Sequence, residues 1–162
     1  LSFHKKNIDP VETPETTNLS DLISRYEDIL LKIDIEGAEY PWLQSLEEDQ
    51  LQRFKQVAIE FHWPFAPEKW ACLQKLQQTH YLVHLHANNY QPLQALQGPN
   101  LVVHVPMVFE CTYIRKADLT AVPPLNTRPN PGPLDSPNCP HIPDHSLNFP
   151  PFVFDRRFKK SA

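Results

Sequence analysis

Residues 31–44 read LLKIDIEGAEYPWL, an apolar run interrupted by charges. Successive side chains of a β-strand point to opposite faces, so Lys32, Asp34 and Glu36 would share one face of a strand. Burying these charges against hydrocarbon would cost several kcal/mol per ion. We therefore expect the strand to end in a cleft, where a ligand, a metal ion or the charges themselves provide compensation. Gly37 fits this expectation, because a strand-to-helix turn beside a ligand often needs a residue without a Cβ atom.

The composition is that of an ordinary globular protein, with 41% hydrophobic and 21% charged residues. A net charge of -4 with scattered lysines and arginines argues against a nucleic-acid partner. No apolar run reaches the roughly 20 residues of a membrane span. Three cysteines without a CxxC spacing favour reduced thiols, and we expect a cytoplasmic protein.

Apolar segments alternate with amphipathic helical segments in the middle of the chain. The pattern predicts strands at 29–35, 56–62 and 80–86 and helices at 40–53 and 66–79. This alternation indicates βαβ units, and therefore an α/β fold with a parallel sheet covered on both faces.

The flanking segments complete the predicted organisation. A short helix is predicted over 19–27. The β-like stretch 101–115 is broken by Pro106, which predicts two short strands or a hairpin, with an antiparallel edge strand closing the sheet. Residues 123–162 are rich in proline and predict an extended tail, which we expect to lie across the domain formed by residues 1–122.

Polar side chains gather toward the carboxyl ends of the three predicted strands. In an open α/β sheet these ends lie along one edge, and ligands bind in the crevice outside it. Asn88 and Asn89 follow the third strand and add amide donors and acceptors. The predicted site comprises Asp34, Glu36, Glu60, His62, His86, Asn88 and Asn89.

Several of these polar residues also have a purely structural interpretation. Lys32 can pair with Asp34 or Glu60 inside the sheet. Glu39 stands where a helix begins and can simply complement the helix dipole. His84 lies within its strand and is expected to be a hydrogen-bonded core histidine.

The chemistry of this residue set is left open by the spacing alone. Paired carboxylates near imidazoles can do general acid and base work. Carboxylate and amide oxygens suit magnesium, calcium or manganese, whereas an imidazole-rich set suits zinc or iron. The sequence contains no HExxH, GxSxG, P-loop or GxGxxG motif, which removes the usual support for nucleophilic hydrolases and nucleoside-triphosphate enzymes.

One family resemblance adds to this reading. The segment ILLKIDIEGAEYPWLQSL resembles the LKIDIEGAE signature of FkbM-type methyltransferases, which use S-adenosylmethionine and commonly methylate hydroxyl groups of sugars and related metabolites. The later segments QVAIEFHW, HLHANNY, VFECTYIRK, LDSPN and PPFVF resemble motifs of one branch of that family. The resemblance implies a class I methyltransferase fold, which is Rossmann-like, with the 106–115 region as an antiparallel strand.

The resemblance also implies roles for individual residues. Asp34, Glu36 and Gly37 would lie beside the methyl group of the cofactor, and Glu60, Asn88 and Asn89 would contact a small-molecule or glycan acceptor. The implied catalytic set is Asp34, Glu36, His62 and His86, with a divalent metal as a possible addition.

One departure from the family pattern bears on the whole chain. The glycine-rich loop that family members use to bind the cofactor is not found, so the chain resembles only the C-terminal half of such an enzyme. We expect weak cofactor binding on this basis. We also expect the exposed edge of the 29–35 strand to be covered by self-association or by a missing N-terminal segment.

Two other functions compete with the methyltransferase reading. The first is a metal-dependent hydrolase or lyase with Asp34, Glu60, His62 and His86 as ligands. The second is a non-catalytic assembly module that uses the proline-rich tail as its contact surface.

Overall fold

The computed structural model describes residues 2–99 and 101–154 of the chain. It has a mixed α/β fold with short helices and three separate sheets. The strands are β1 (Asn7–Ile8), β2 (Thr16–Thr17), β3 (Ile29–Ile33), β4 (Phe54–His62), β5 (His80–Ala87), β6 (Leu93–Gly98), β7 (Leu101–Pro106) and β8 (Val108–Arg115). The helices are α1 (Ser20–Arg25), α2 (Glu39–Ser45), α3 (Glu48–Leu51) and α4 (Pro67–Thr79), and a 3₁₀ turn covers Lys116–Asp118.

The main sheet has four strands in the order β3-β4-β8-β5. β3 and β4 are parallel, and β8 is antiparallel to both of its neighbours, so β3, β4 and β5 all run in the same direction. The prediction of an antiparallel edge strand is therefore wrong, because β8 lies inside the sheet and separates β4 from β5. Pro106 ends β7 in the hairpin with β6, so β8 contains no proline and its backbone permits pairing on both sides.

One face of this sheet carries the hydrophobic core. Ile59, Phe61 and Tyr113 are almost fully buried there, together with side chains of α2 and α4. The predicted helix over 40–53 is two helices, because the backbone of Leu46 is extended and Glu47 begins α3 with a capping box.

The opposite face of the sheet is polar, which contradicts the prediction of a parallel sheet with both faces buried under helices. One row of paired residues crosses three strands on this face. Glu60 on β4 pairs with Glu110 on β8, and Glu110 pairs with His86 on β5. The proline-rich segment supplies partners to this row: the Asn138 amide donates to Glu110 at 2.8 Å, and Asp144 lies 2.9 Å from His86.

Residues 123–154 contain no helix or strand and are held by buried side chains and by hydrogen bonds. Leu147 and Val153 are fully buried. The Asn130 side-chain amide donates to the backbone carbonyl of Leu85 on β5 at 2.6 Å. Within the described residues, no helix is long and apolar enough to cross a membrane.

Candidate functional site

The site begins in the turn that follows β3. β3 ends at Ile33 and not at residue 35, so Asp34 and Glu36 lie in the turn and do not share a strand face with Lys32. Glu36 and Gly37 both adopt positive φ, 56° and 101°, and the Glu36 side chain is 82% exposed. A Cβ atom on Gly37 would meet nothing within 4 Å, so the backbone angle, and not a close approach, favours glycine here.

Glu39 is the residue whose importance sequence reasoning missed. It is the first residue of α2 and is completely buried. Its Oε1 accepts a hydrogen bond from the backbone N–H of Ile35 at 3.1 Å and lies 3.0 Å from Nδ1 of His62. Its Oε2 is buried and finds no hydrogen-bond partner among the described residues. Its position at a helix start predicted only a dipole interaction, and nothing in the local sequence shows that β4 places an imidazole against it.

His62 ends β4 and is 6% exposed at its side chain. Its two ring nitrogens face different carboxylates, with Glu39 at Nδ1 and Glu36 Oε2 at 3.4 Å from Nε2. Asp34 completes a group: one ligand atom each from Asp34, Glu39 and His62 lie within 4.8 Å of one another. Among residues 2–99 and 101–154, these three could hold a metal ion.

Glu60 lies two residues before His62 and is buried on the polar face. Asn88, just after β5, donates its amide to Glu60 Oε1 at 2.8 Å. Burial raises the pKa of the Glu60 carboxyl, and the neighbouring Asp34 carboxylate raises that pKa further, against the opposing effect of the Asn88 hydrogen bond. Asp34 thus adjoins both Glu60 and the Glu39–His62 pair. Lys32, which could have paired with Asp34 or Glu60, is exposed and forms no ion pair in the described part of the chain.

His86 does not join this group, contrary to the prediction. Glu110 of β8 stands between Glu60 and His86, which places two strand spacings, roughly 10 Å, between their backbones. His86 Nε2 contacts Asp144 of the proline-rich segment instead. The ligand set Asp34, Glu60, His62 and His86 is therefore not assembled, because β8 occupies the position that the prediction gave to a direct β4–β5 contact.

Asn89 is also placed differently from its predicted role as a substrate-binding residue. Its side chain is buried and makes three hydrogen bonds to the backbone of Cys139 and Ile142. His84 is likewise not a core histidine: its side chain is 46% exposed and lies 2.8 Å from Asp135. Both residues hold the proline-rich segment against β5.

Two residues with a strained backbone lie beside the cluster of Asp34, Glu39 and His62. Glu36 and Trp63, which directly follows His62, are two of the four non-glycine residues with positive φ in the described part of the chain. Backbone strain of this kind concentrates at functional sites. Trp63 is 43% exposed, and its ring centre lies 5.9 Å from that of His62.

A comparison with known protein families identifies the class as methyltransferase. Residues 2–95, more than half of the chain, match the family model described as the methyltransferase FkbM domain. The chain therefore belongs to the FkbM methyltransferase family. No curated protein and no solved structure matches it.

The family implies S-adenosylmethionine as cofactor, and the described residues fit one end of it. The carboxylates of Asp34 and Glu36 after β3 would complement the positive charge of a sulfonium group. Among the described residues, no glycine-rich loop is placed to bind the adenosine end: residues 2–28 form two strands of two residues and one short helix, and the three glycines of the sequence stand at 37, 98 and 132. The residues present thus fit the methyl end of the cofactor but not its adenosine end.

Proposed function

We propose that the protein is an S-adenosylmethionine-dependent O-methyltransferase that acts on a sugar or another hydroxylated small molecule. In this proposal the described residues supply the acceptor side of the active site. The observation that carries the proposal is the convergence of Asp34, Glu60 and Asn88. They lie near or just beyond the carboxyl ends of three co-directional strands, and they meet at one edge of the sheet. The shared direction of β3, β4 and β5 supports a class I, Rossmann-like methyltransferase fold.

The acceptor hydroxyl would be oriented by the Glu60–Asn88 pair. Asn88 holds one oxygen of the Glu60 carboxylate, so the carboxylate is fixed in direction and can accept the hydroxyl proton with its other oxygen. The bound cofactor would supply an electrophilic methyl group. Glu60 would take the proton of the acceptor hydroxyl, so that its oxygen could accept the methyl group while the bond between that carbon and the cofactor sulfur breaks and the demethylated cofactor leaves as the neutral thioether.

The surroundings suit a small polar acceptor. Trp63 presents a half-exposed aromatic surface beside His62, and pockets for small molecules typically combine such a surface with a few fixed polar groups. Asp34 and Glu36 are exposed in the turn and can accept hydrogen bonds from further hydroxyl groups.

The test is methyl transfer from radiolabelled S-adenosylmethionine to a panel of sugars and hydroxylated metabolites. The chain and a form extended at its N-terminus are assayed in parallel, and cofactor binding is followed by calorimetry. We expect the label on a hydroxyl oxygen of the product. No heat of binding and no transfer from either form would refute the proposal.

A further inference from the structure

We propose that Asp34, Glu39 and His62 bind one divalent transition-metal ion at the carboxyl ends of β3 and β4. This site shares Asp34 with the proposed acceptor site but includes neither Glu60 nor Asn88, and its occupancy is measured without methyl transfer. The inference starts from the arrangement of the three side chains and from one buried oxygen atom.

The spacing of the ligand atoms fits a single ion. One atom from each residue lies within 4.8 Å of the other two. Nitrogen and oxygen ligands bind first-row metals at about 2.0–2.2 Å, so two ligands on opposite sides of one ion are about 4.4 Å apart. Small side-chain rotations are enough to close this difference, and Asp34 lies exposed in the turn after β3.

The buried Oε2 atom of Glu39 is the second, independent observation. Glu39 is completely buried, and Oε1 has two partners while Oε2 has none in the described part of the chain. A buried oxygen of a carboxylate is costly to leave without a partner. An ion held between Glu39, Asp34 and His62 would satisfy it.

The excess of negative charge around the site also favours binding of a cation. Four carboxylates, those of Asp34, Glu36, Glu39 and Glu60, surround one imidazole, and no ion pair among the described residues brings a lysine or arginine to them. The adjacent lysine, Lys69, donates to the backbone carbonyl of His62 and lies over the ring of Tyr40 instead. A divalent ion would neutralise this excess of negative charge.

The ligand types indicate the class of metal. Two carboxylates alone would suit magnesium or calcium, but an imidazole favours a first-row transition metal such as manganese or zinc. Three protein ligands also leave coordination positions open, as in catalytic sites.

The test is a titration of the whole chain, stripped with chelator, with Mn²⁺ alone, and free Mn²⁺ is measured by electron paramagnetic resonance. We expect one ion per chain. Glu39→Gln keeps an oxygen that can accept from Ile35 but removes the charge, and we expect it to weaken Mn²⁺ binding at least about tenfold. The matched control is Glu68→Gln, which removes an exposed acid from the first turn of α4 and leaves binding unchanged.

Circular dichroism shows whether each variant is folded. If Glu39→Gln does not fold, Asp34→Asn decides the question, because Asp34 is exposed and its substitution leaves the core intact. Failure of the wild-type chain to bind Mn²⁺ or Zn²⁺ overturns the proposal. Binding that is equally strong in wild type and in the folded variant overturns it as well. None of these outcomes bears on methyl transfer, which is measured separately.

Discussion

Replacing Asn89 by alanine separates a structural role from a substrate-binding role at one position. The Asn89 amide donates to the carbonyls of Cys139 and Ile142 at 2.9 and 2.7 Å, and its oxygen accepts from the N–H of Cys139 at 2.8 Å. Each such bond contributes about 1 kcal/mol net. Asn89→Ala should therefore lower the free energy of unfolding by about 3 kcal/mol.

Urea denaturation monitored by tryptophan fluorescence measures this change. Limited proteolysis then shows whether the segment around Cys139 becomes accessible, as expected once its anchor is removed. Asn138→Ala is the control: its side chain is exposed and makes one hydrogen bond, to Glu110, so we expect a loss below about 1 kcal/mol. An Asn89→Ala protein that is as stable as wild type but has a raised KM for the acceptor would refute this reasoning and support the substrate-binding role.

Two further predictions concern protonation and backbone strain. Burial lowers the pKa of His80, whose ring is fully buried between Thr79 and the carbonyl of Phe54. The pKa of this histidine in the unfolded chain is about 6.5. As the pH falls below that value, the unfolded chain binds a proton that the folded chain excludes. The free energy of unfolding should therefore become smaller as the pH is lowered. Urea titrations from pH 7.5 to about 5 should show a shallower decrease in His80→Gln, and equal slopes would contradict the prediction. Gly37→Ala should cost roughly 1–2 kcal/mol because φ is 101° at this position, and an unchanged urea midpoint would contradict the strain argument.

The elements of the α/β core could be predicted from the sequence, because their periodicity is strong. The strands at 54–62 and 80–87 and the helix at 67–79 lie within two residues of their predicted limits. The placement of Asp34, Glu60 and Asn88 along one edge was also predicted, from three neighbouring strands that run in the same direction. β4 and β5 are not neighbours, but their carboxyl ends still lie along that edge.

The position of β8 could not be predicted in this way. An alternating apolar strand can pair at an edge or between two strands, and its own sequence does not distinguish the two cases. The consequence is large for His86, which β8 separates from Glu60 and which contacts Asp144 instead. The break at Leu46 was missed for a related reason: helical periodicity continues across it, while the capping box of Glu47 and Gln50 restarts the helix.

Glu39 shows the limit of reading a residue from its local sequence. A glutamate in the first turn of a helix is common on electrostatic grounds. Its burial against His62 is a tertiary contact between residues 23 positions apart, and only the placement of β4 beside the start of α2 creates it. The same is true of Asn89, whose partners lie 50 and 53 residues away.

The most direct test of the proposed active site compares two glutamates of the same sheet row. Glu60 and Glu110 face each other on neighbouring strands, but only Glu60 adjoins Asp34 and Asn88. We predict that Glu60→Gln lowers kcat for methyl transfer at least about 100-fold, the contribution of a general base, while Glu110→Gln stays close to wild type. Equal rates in the two variants would contradict the assignment of the acceptor site.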